Sequence, residues 1–150
     1  MHTAVCSGHI EKASLLLDAG ANINEPNNDG NTPLAASVFK PQRNPPYRSR
    51  NNHADPRPDM TKFLLRRGAD MYYKNKQSES ALHLLARAYQ GQRKQDNIKI
   101  AKILIEHGAE RQACNDDGKT ALDLVTSKGI TGWRDIAYVF REPTDEDDKT

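Results

Sequence analysis

At 150 residues the chain suits one compact domain and is too short for two well-packed ones side by side. Its 36% apolar and 28% charged residues make it polar, yet aliphatic clusters at 15 to 17, 63 to 65 and 103 to 105 exclude wholesale disorder. A net charge of +2 by itself implies neither a nucleic-acid nor a membrane partner, because such binding depends on where charges cluster. No apolar run reaches the about 18 to 20 residues that cross a bilayer, and Met1 to Gly8 lacks a basic start followed by an apolar stretch. Cys6 and Cys114 are far apart and stand in neither CxxC nor metal-ligand spacing, which argues for free thiols in a reducing compartment.

Taken in chain order, the sequence repeats itself. Leu15 to Ile23 reads LLLDAGANI and is followed by GNTPLAAS from Gly30; Phe63 to Met71 reads FLLRRGADM and is followed by SESALHLLA from Ser78. Ile103 to Arg111 reads ILIEHGAER and is followed by GKTALDLV from Gly118. From Gly20 to Thr32, Gly68 to Ser80 and Gly108 to Thr120 the separation is 12 residues each time. Locked spacing of this kind is the mark of a structural repeat.

Elementary stereochemistry explains the lock. A glycine after an aliphatic run stops a helix by taking the left-handed conformation without steric cost. Thr32, Ser80 and Thr120 are N-caps that open the next helix, and Pro33 suits the first helical position, where its missing N–H costs nothing. Between stop and start lie turn residues, Asn27 to Gly30 and Asn115 to Gly118. Farther on, Trp133 to Phe140 reads as an amphipathic closing helix, and 142–150 is an acidic tail expected to fray.

These phrases resemble the ankyrin repeat family. Asn27 to Leu34 carries its DGNTPL element, His2 to Leu17 carries HxAV, Gly8-His9 and LLL, Ser80 to Ala86 keeps ALHLLA, and Thr120 to Leu124 keeps TALDL. The resemblance implies an all-α solenoid of stacked antiparallel helix pairs with short hairpin-like turns. It covers 1–141 in repeats of approximately 1–26, 27–74, 75–114 and 115–141. Against a regular repeat of about 33 residues, Thr32 to Gly68 is 15 residues too long and Ser80 to Gly108 is 7 too long, which places insertions at approximately 41–58 and 88–96. Met1 stands where the leucine of TPLH would fall, so the first repeat lacks its hairpin and cap, and either the chain is cut from a larger protein or its N-terminal face is unusually open.

The resemblance also implies a binding face, formed by hairpin tips and exposed first-helix positions. Mapped here these are Asn28, Asp29, Asn31, Phe39 and Lys40, then Lys76, Gln77, Glu79 and Arg87, then Asp116, Asp117, Lys119 and Ser127. Phe39 is the sharpest anchor, since aromatic and arginine side chains dominate interface energetics. Tyr72 and Tyr73 fall in a hairpin where the family has small or polar residues, so exposed tyrosines there suit a partner. The first insertion is proline-rich, and Arg43, Tyr47, Arg48, Arg50 and Arg57 on it, with Arg93 and Lys94 on the second, would form a secondary basic edge for an acidic or phosphorylated partner.

Catalytic and cofactor signals are missing: there is no GxSxG, no phosphate-cradling glycine loop and no dinucleotide fingerprint. His2 and His83 occupy the TPLH position, where the resemblance implies that the ring bridges helix and hairpin rather than binding metal. His107 precedes Gly108 at a helix C-terminus, where a cationic ring is favoured, and Cys6 falls on an exposed first-helix position. The sequence therefore reads as a non-enzymatic, monomeric, intracellular protein-interaction module with no cofactor, no metal and no membrane insertion. Nucleic-acid or anionic-lipid binding by the basic insertions ranks below that reading, as does a targeting domain of a larger enzyme. A pathogen effector acting in the host cytosol is a further alternative.

Overall fold

The computed structural model describes residues 1–38, 57–89, 94–127 and 133–141. Among these residues the elements are α1 (His2–Ser7), α2 (Ile10–Asp18), α3 (Pro33–Val38), α4 (Pro58–Arg66), α5 (Ala81–Ala88), α6 (Lys94–Glu106), α7 (Ala121–Thr126) and α8 (Trp133–Phe140). The described residues contain no strand, so the connectors between helix pairs are turns.

Three helix ends and two helix starts follow directly from their local sequence. Gly20, Gly68 and Gly108 have φ of 90°, 88° and 98°. The residue after each donates its N–H back to the helix, Ala21 to Leu16 O at 2.9 Å, Ala69 to Leu64 O at 3.0 Å and Ala109 to Leu104 O at 3.0 Å. These bonds satisfy carbonyls that a helix end would otherwise leave unpaired. At the start of α3 the Thr32 hydroxyl accepts the Ala35 N–H at 3.3 Å and Pro33 takes the first position. Thr120 and Asp123 cap α7 reciprocally: Asp123 N–H donates to Thr120 Oγ1 at 3.2 Å while Thr120 N–H donates to Asp123 Oδ2 at 2.9 Å.

Short helices of this length are unstable alone and gain their stability from packing. The first helices stack in one row, α1 on α3, α3 on α5 and α5 on α7; the second helices form the other, α4 on α6 and α6 on α8. One apolar cluster joins Ala4, Val5 and Ala13 to Leu34, Met60, Leu64 and Met71. The other runs through Leu85, Tyr89, Ile100, Leu104, Val125, Ile136 and Phe140. Each repeat thus completes its neighbour's core, the arrangement of a solenoid. At the N-terminal end Leu15 and Leu16 are 69% and 39% exposed, whereas Leu64 and Leu104, which share the register of Leu16, are fully buried.

The second insertion is described at both of its ends. Helix α5 runs through Ala88 and α6 starts at Lys94, so both ends of 88–96 are helical. Lys94, assigned to a basic edge, instead forms an ion pair with Asp135 of α8. Arg57, placed in the same edge, is only partly exposed, and its guanidinium packs so closely on Gly8 that a Cβ there would collide with it. Both side chains meet an adjacent helix pair: Lys94 a carboxylate at the surface, and Arg57 the C-terminal end of α1.

The cap on α7 makes a pH-dependent contribution. The Thr120 backbone N–H, then the Thr120 hydroxyl, and finally the charge of Lys119 hold the Asp123 carboxyl below its ordinary value of 3.8. A carboxyl lowered in the fold stabilises it above the unfolded value, and that contribution is lost as pH falls through the folded value. Urea unfolding of wild type and Asp123→Asn should differ at about pH 6, and the gap should narrow progressively as pH falls below about 3.8. A gap that is unchanged over that range contradicts the assignment.

Candidate functional site

The turns before α3, α5 and α7 are built alike. Asn27, Asn75 and Asn115 each stand five residues before the capping hydroxyl. The Asn27 side-chain oxygen accepts the N–H groups of Asp29 and Asn31, both at 3.0 Å. Asn75 accepts from Gln77 and Glu79, both at 3.0 Å, and Asn115 from Asp117 and Lys119 at 3.1 and 3.0 Å. One amide oxygen therefore ties two otherwise unpaired backbone donors in each turn. A backbone pair closes each base, Asn27 N–H to Asn31 O at 2.9 Å, Asn75 to Glu79 at 3.1 Å and Asn115 to Lys119 at 3.0 Å.

The turns are also joined to one another. Lys76 lies across Gly30, where a Cβ would stand 2.9 Å from its Cγ, and its ammonium donates to Asn28 O at 2.8 Å. Only glycine leaves room for that crossing at a φ of 80°. Asn75 Nδ2 donates to Asn31 Oδ1 at 3.2 Å. On the next step Asp116 N–H donates to Gln77 O at 3.2 Å and the Ser78 hydroxyl to Asp116 Oδ1 at 2.5 Å. Helices fasten to the same rail: His2 Nε2 donates to Asn31 O at 2.8 Å and His83 Nε2 to Lys119 O at 3.0 Å. His83 Nδ1 faces the Ser80 N–H at 3.3 Å and must accept there, which fixes the proton on Nε2. Both TPLH-position histidines thus bridge helix and turn.

The expected contact residues divide into three groups. Asn28, Asp29, Lys76, Gln77, Arg87, Asp116, Asp117 and Lys119 are exposed. They lie along this rail, with Arg87 on α5 beside it. Asn31 and Glu79, by contrast, are 7% and 4% exposed and cannot act as surface contacts. Asn31 is held by Asn27 and Asn75, while the Glu79 carboxylate accepts Asn75 Nδ2 at 3.2 Å and Arg87 Nη1 at 3.0 Å on both oxygens. Burying a carboxylate requires such partners, and Arg87 supplies the charge. Phe39, Lys40, Arg43, Tyr47, Arg48, Arg50 and Arg93 lie outside the described residues.

Tyr72 is 69% exposed, but it does not join the rail. Its hydroxyl lies 3.2 Å from where a Cβ on Gly108 would stand, at the end of α6, which places it on the second-helix side. Tyr73 is partly buried, as is Cys6, which the sequence had placed at an exposed position. His107 does what a helix C-terminus invites, with Nδ1 2.8 Å from Ile103 O. Among the described residues no group of three or more His, Cys, Asp or Glu side chains is arranged to hold a metal ion. No described helix is long and apolar enough to cross a membrane.

Asn75 is the residue on which the rail turns, since it serves two backbone donors, Asn31 and Glu79 at once. Its replacement by alanine leaves buried groups unsatisfied and should lower unfolding free energy by about 2 to 3 kcal/mol. Chemical denaturation measures this directly, and a loss under about 0.5 kcal/mol, the size of an ordinary surface change, contradicts the role.

Comparison with known proteins agrees with this geometry. A model described as ankyrin repeats in three copies matches residues 51–137, more than half of the chain, and one described as ankyrin repeats in many copies matches residues 1–40. A protein of Acanthamoeba polyphaga mimivirus, named as an ankyrin repeat protein, is 32% identical over 137 residues, spanning 89% of this chain and 73% of its own length. Ankyrin repeats are in general protein–protein interaction modules rather than enzymes. The stacked helix pairs, the glycine stops and the bonded turns are those of this family, and the chain belongs to the ankyrin repeat family.

Proposed function

We propose that the chain recognises a protein partner through its turn tips and the adjoining row of first helices, without catalysing a reaction. The observation that supports this reading is the rail itself. Asn28, Asp29, Lys76, Gln77, Asp116, Asp117 and Lys119 project from turns whose backbones are bonded to each other and to the helices beneath. Side chains held this way lose little freedom on binding, so less of the contact energy is spent on ordering them. Charges of both signs alternate along it, Asp29, Lys76, Asp116, Asp117 and Lys119, which suits a partner of patterned rather than uniform charge.

Arg87 adds a guanidinium beside the tips, steadied by the buried Glu79. The mimivirus relative accords with a role inside a host cell, and the cellular compartment follows the partner.

The test is affinity capture with quantitative mass spectrometry, comparing wild type with Asp29→Lys, Gln77→Ala and Asp117→Lys combined. These side chains are exposed and make none of the bonds that join the turns, so circular dichroism should be preserved. A protein retained by wild type should fall at least about tenfold with the variant, as expected when interface charges are reversed. Equal retention overturns the tip reading.

A further inference from the structure

Between the second and third repeats lies a slot of about 150 Å³. Met71, Ala81, Leu82, Ala109 and Ala113 supply its apolar lining, and the exposed Tyr72 also borders it. The 12-residue register identifies what occupies the equivalent positions one repeat earlier. Ala81 corresponds to Pro33, and Ala113 to Tyr73. Two large rings have become two methyl groups.

The closing hydrogen bond is lost as well. In the earlier junction Asn24 Oδ1 accepts the Asp70 N–H at 2.8 Å and ties the two loops together. The corresponding residues here are Tyr72 and Glu110, and Tyr72 instead swings out over Gly108. Lys74 and Glu110, both exposed, also line it, and neither forms an ion pair among the described residues.

We propose that this slot is a second docking point, on the second-helix side, which takes one leucine-sized aliphatic side chain from a peptide segment of a partner. Size and charge select the occupant. An apolar cavity of about 150 Å³ holds a group as large as benzene, so it admits a leucine and is too small for a nucleobase with its sugar. These charges then call for a carboxylate near Lys74 and a cation near Glu110 in the segment that carries the aliphatic residue. Tyr72 offers a flat amphipathic lid for the anchor. The slot is independent of the turn tips, so either site can fail its test without affecting the other.

The experiment titrates the intact, isotope-labelled chain with capped tripeptides and follows amide shifts at Tyr72, Gly108 and Ala113. The probes are acetyl-Glu-Leu-Lys-amide, its reversal acetyl-Lys-Leu-Glu-amide, and an alanine-centred control of each. One leucine peptide should give saturable shifts at these positions, with the alanine control about tenfold weaker, as expected when several methylenes leave an apolar pocket. Ala81→Pro with Ala113→Tyr installs the residues the fold already accepts one repeat earlier, and proline suits the first position of α5. That variant should abolish the shifts while keeping its helical signal, and Ala113→Tyr alone serves if the pair does not fold. Absence of saturable shifts at about 10 mM, weaker than any specific contact would be, overturns the proposal, as does equal binding of the alanine control.

Discussion

An asparagine amide at the base of each turn is the constraint on which the rest depends. A turn that leaves two helices side by side must bend the chain sharply, and doing so leaves backbone N–H groups without partners. Asn27, Asn75 and Asn115 each accept two of these donors through one oxygen, so the bend is satisfied from within. Once the turns are fixed, His2 and His83 lock first helices to them, and the helix pairs fall into register. The two apolar clusters can then pack across repeats, because Leu64 and Leu104 arrive at the same place in successive layers.

The same device determines how function is laid out. A solenoid buries its core between layers and offers extended surface rather than a deep enclosed centre. What remains is surface, and the bonded turns make part of that surface rigid. Arg87 and Glu79 show how far the scaffold intrudes on it: a residue that looks like a contact is half support, and its partner is wholly support. Variation between repeats then creates local features, as where Pro33 and Tyr73 give way to Ala81 and Ala113.

Much of the architecture was legible because its signals are local. Glycine stops, hydroxyl caps and the helix from Trp133 to Phe140 each depend on a few adjacent residues, and each lies where the sequence put it. The asparagine rail was only partly legible. Asn75 sits in KNKQSE, which lacks the glycine of its two counterparts, and Ser78 takes that place with a left-handed φ of 57°. Its five-residue spacing to Ser80 was the available signal. Burial of Asn31 and Glu79 was not legible, since Glu79 depends on an arginine eight residues later folding back over it. Nor was the outward turn of Tyr72, which depends on what Gly108 leaves uncovered in the next repeat.

Native-state amide hydrogen exchange tests the asparagine rail most directly. The account predicts that the amides of Asp29, Asn31, Gln77, Glu79, Asp117 and Lys119 exchange at least about tenfold more slowly than those of Asn28 and Lys76 in the same turns, because only the former are held by a side chain. Uniformly fast exchange across all of these turn amides would contradict it, since the turns would then be ordered by the helices rather than the reverse.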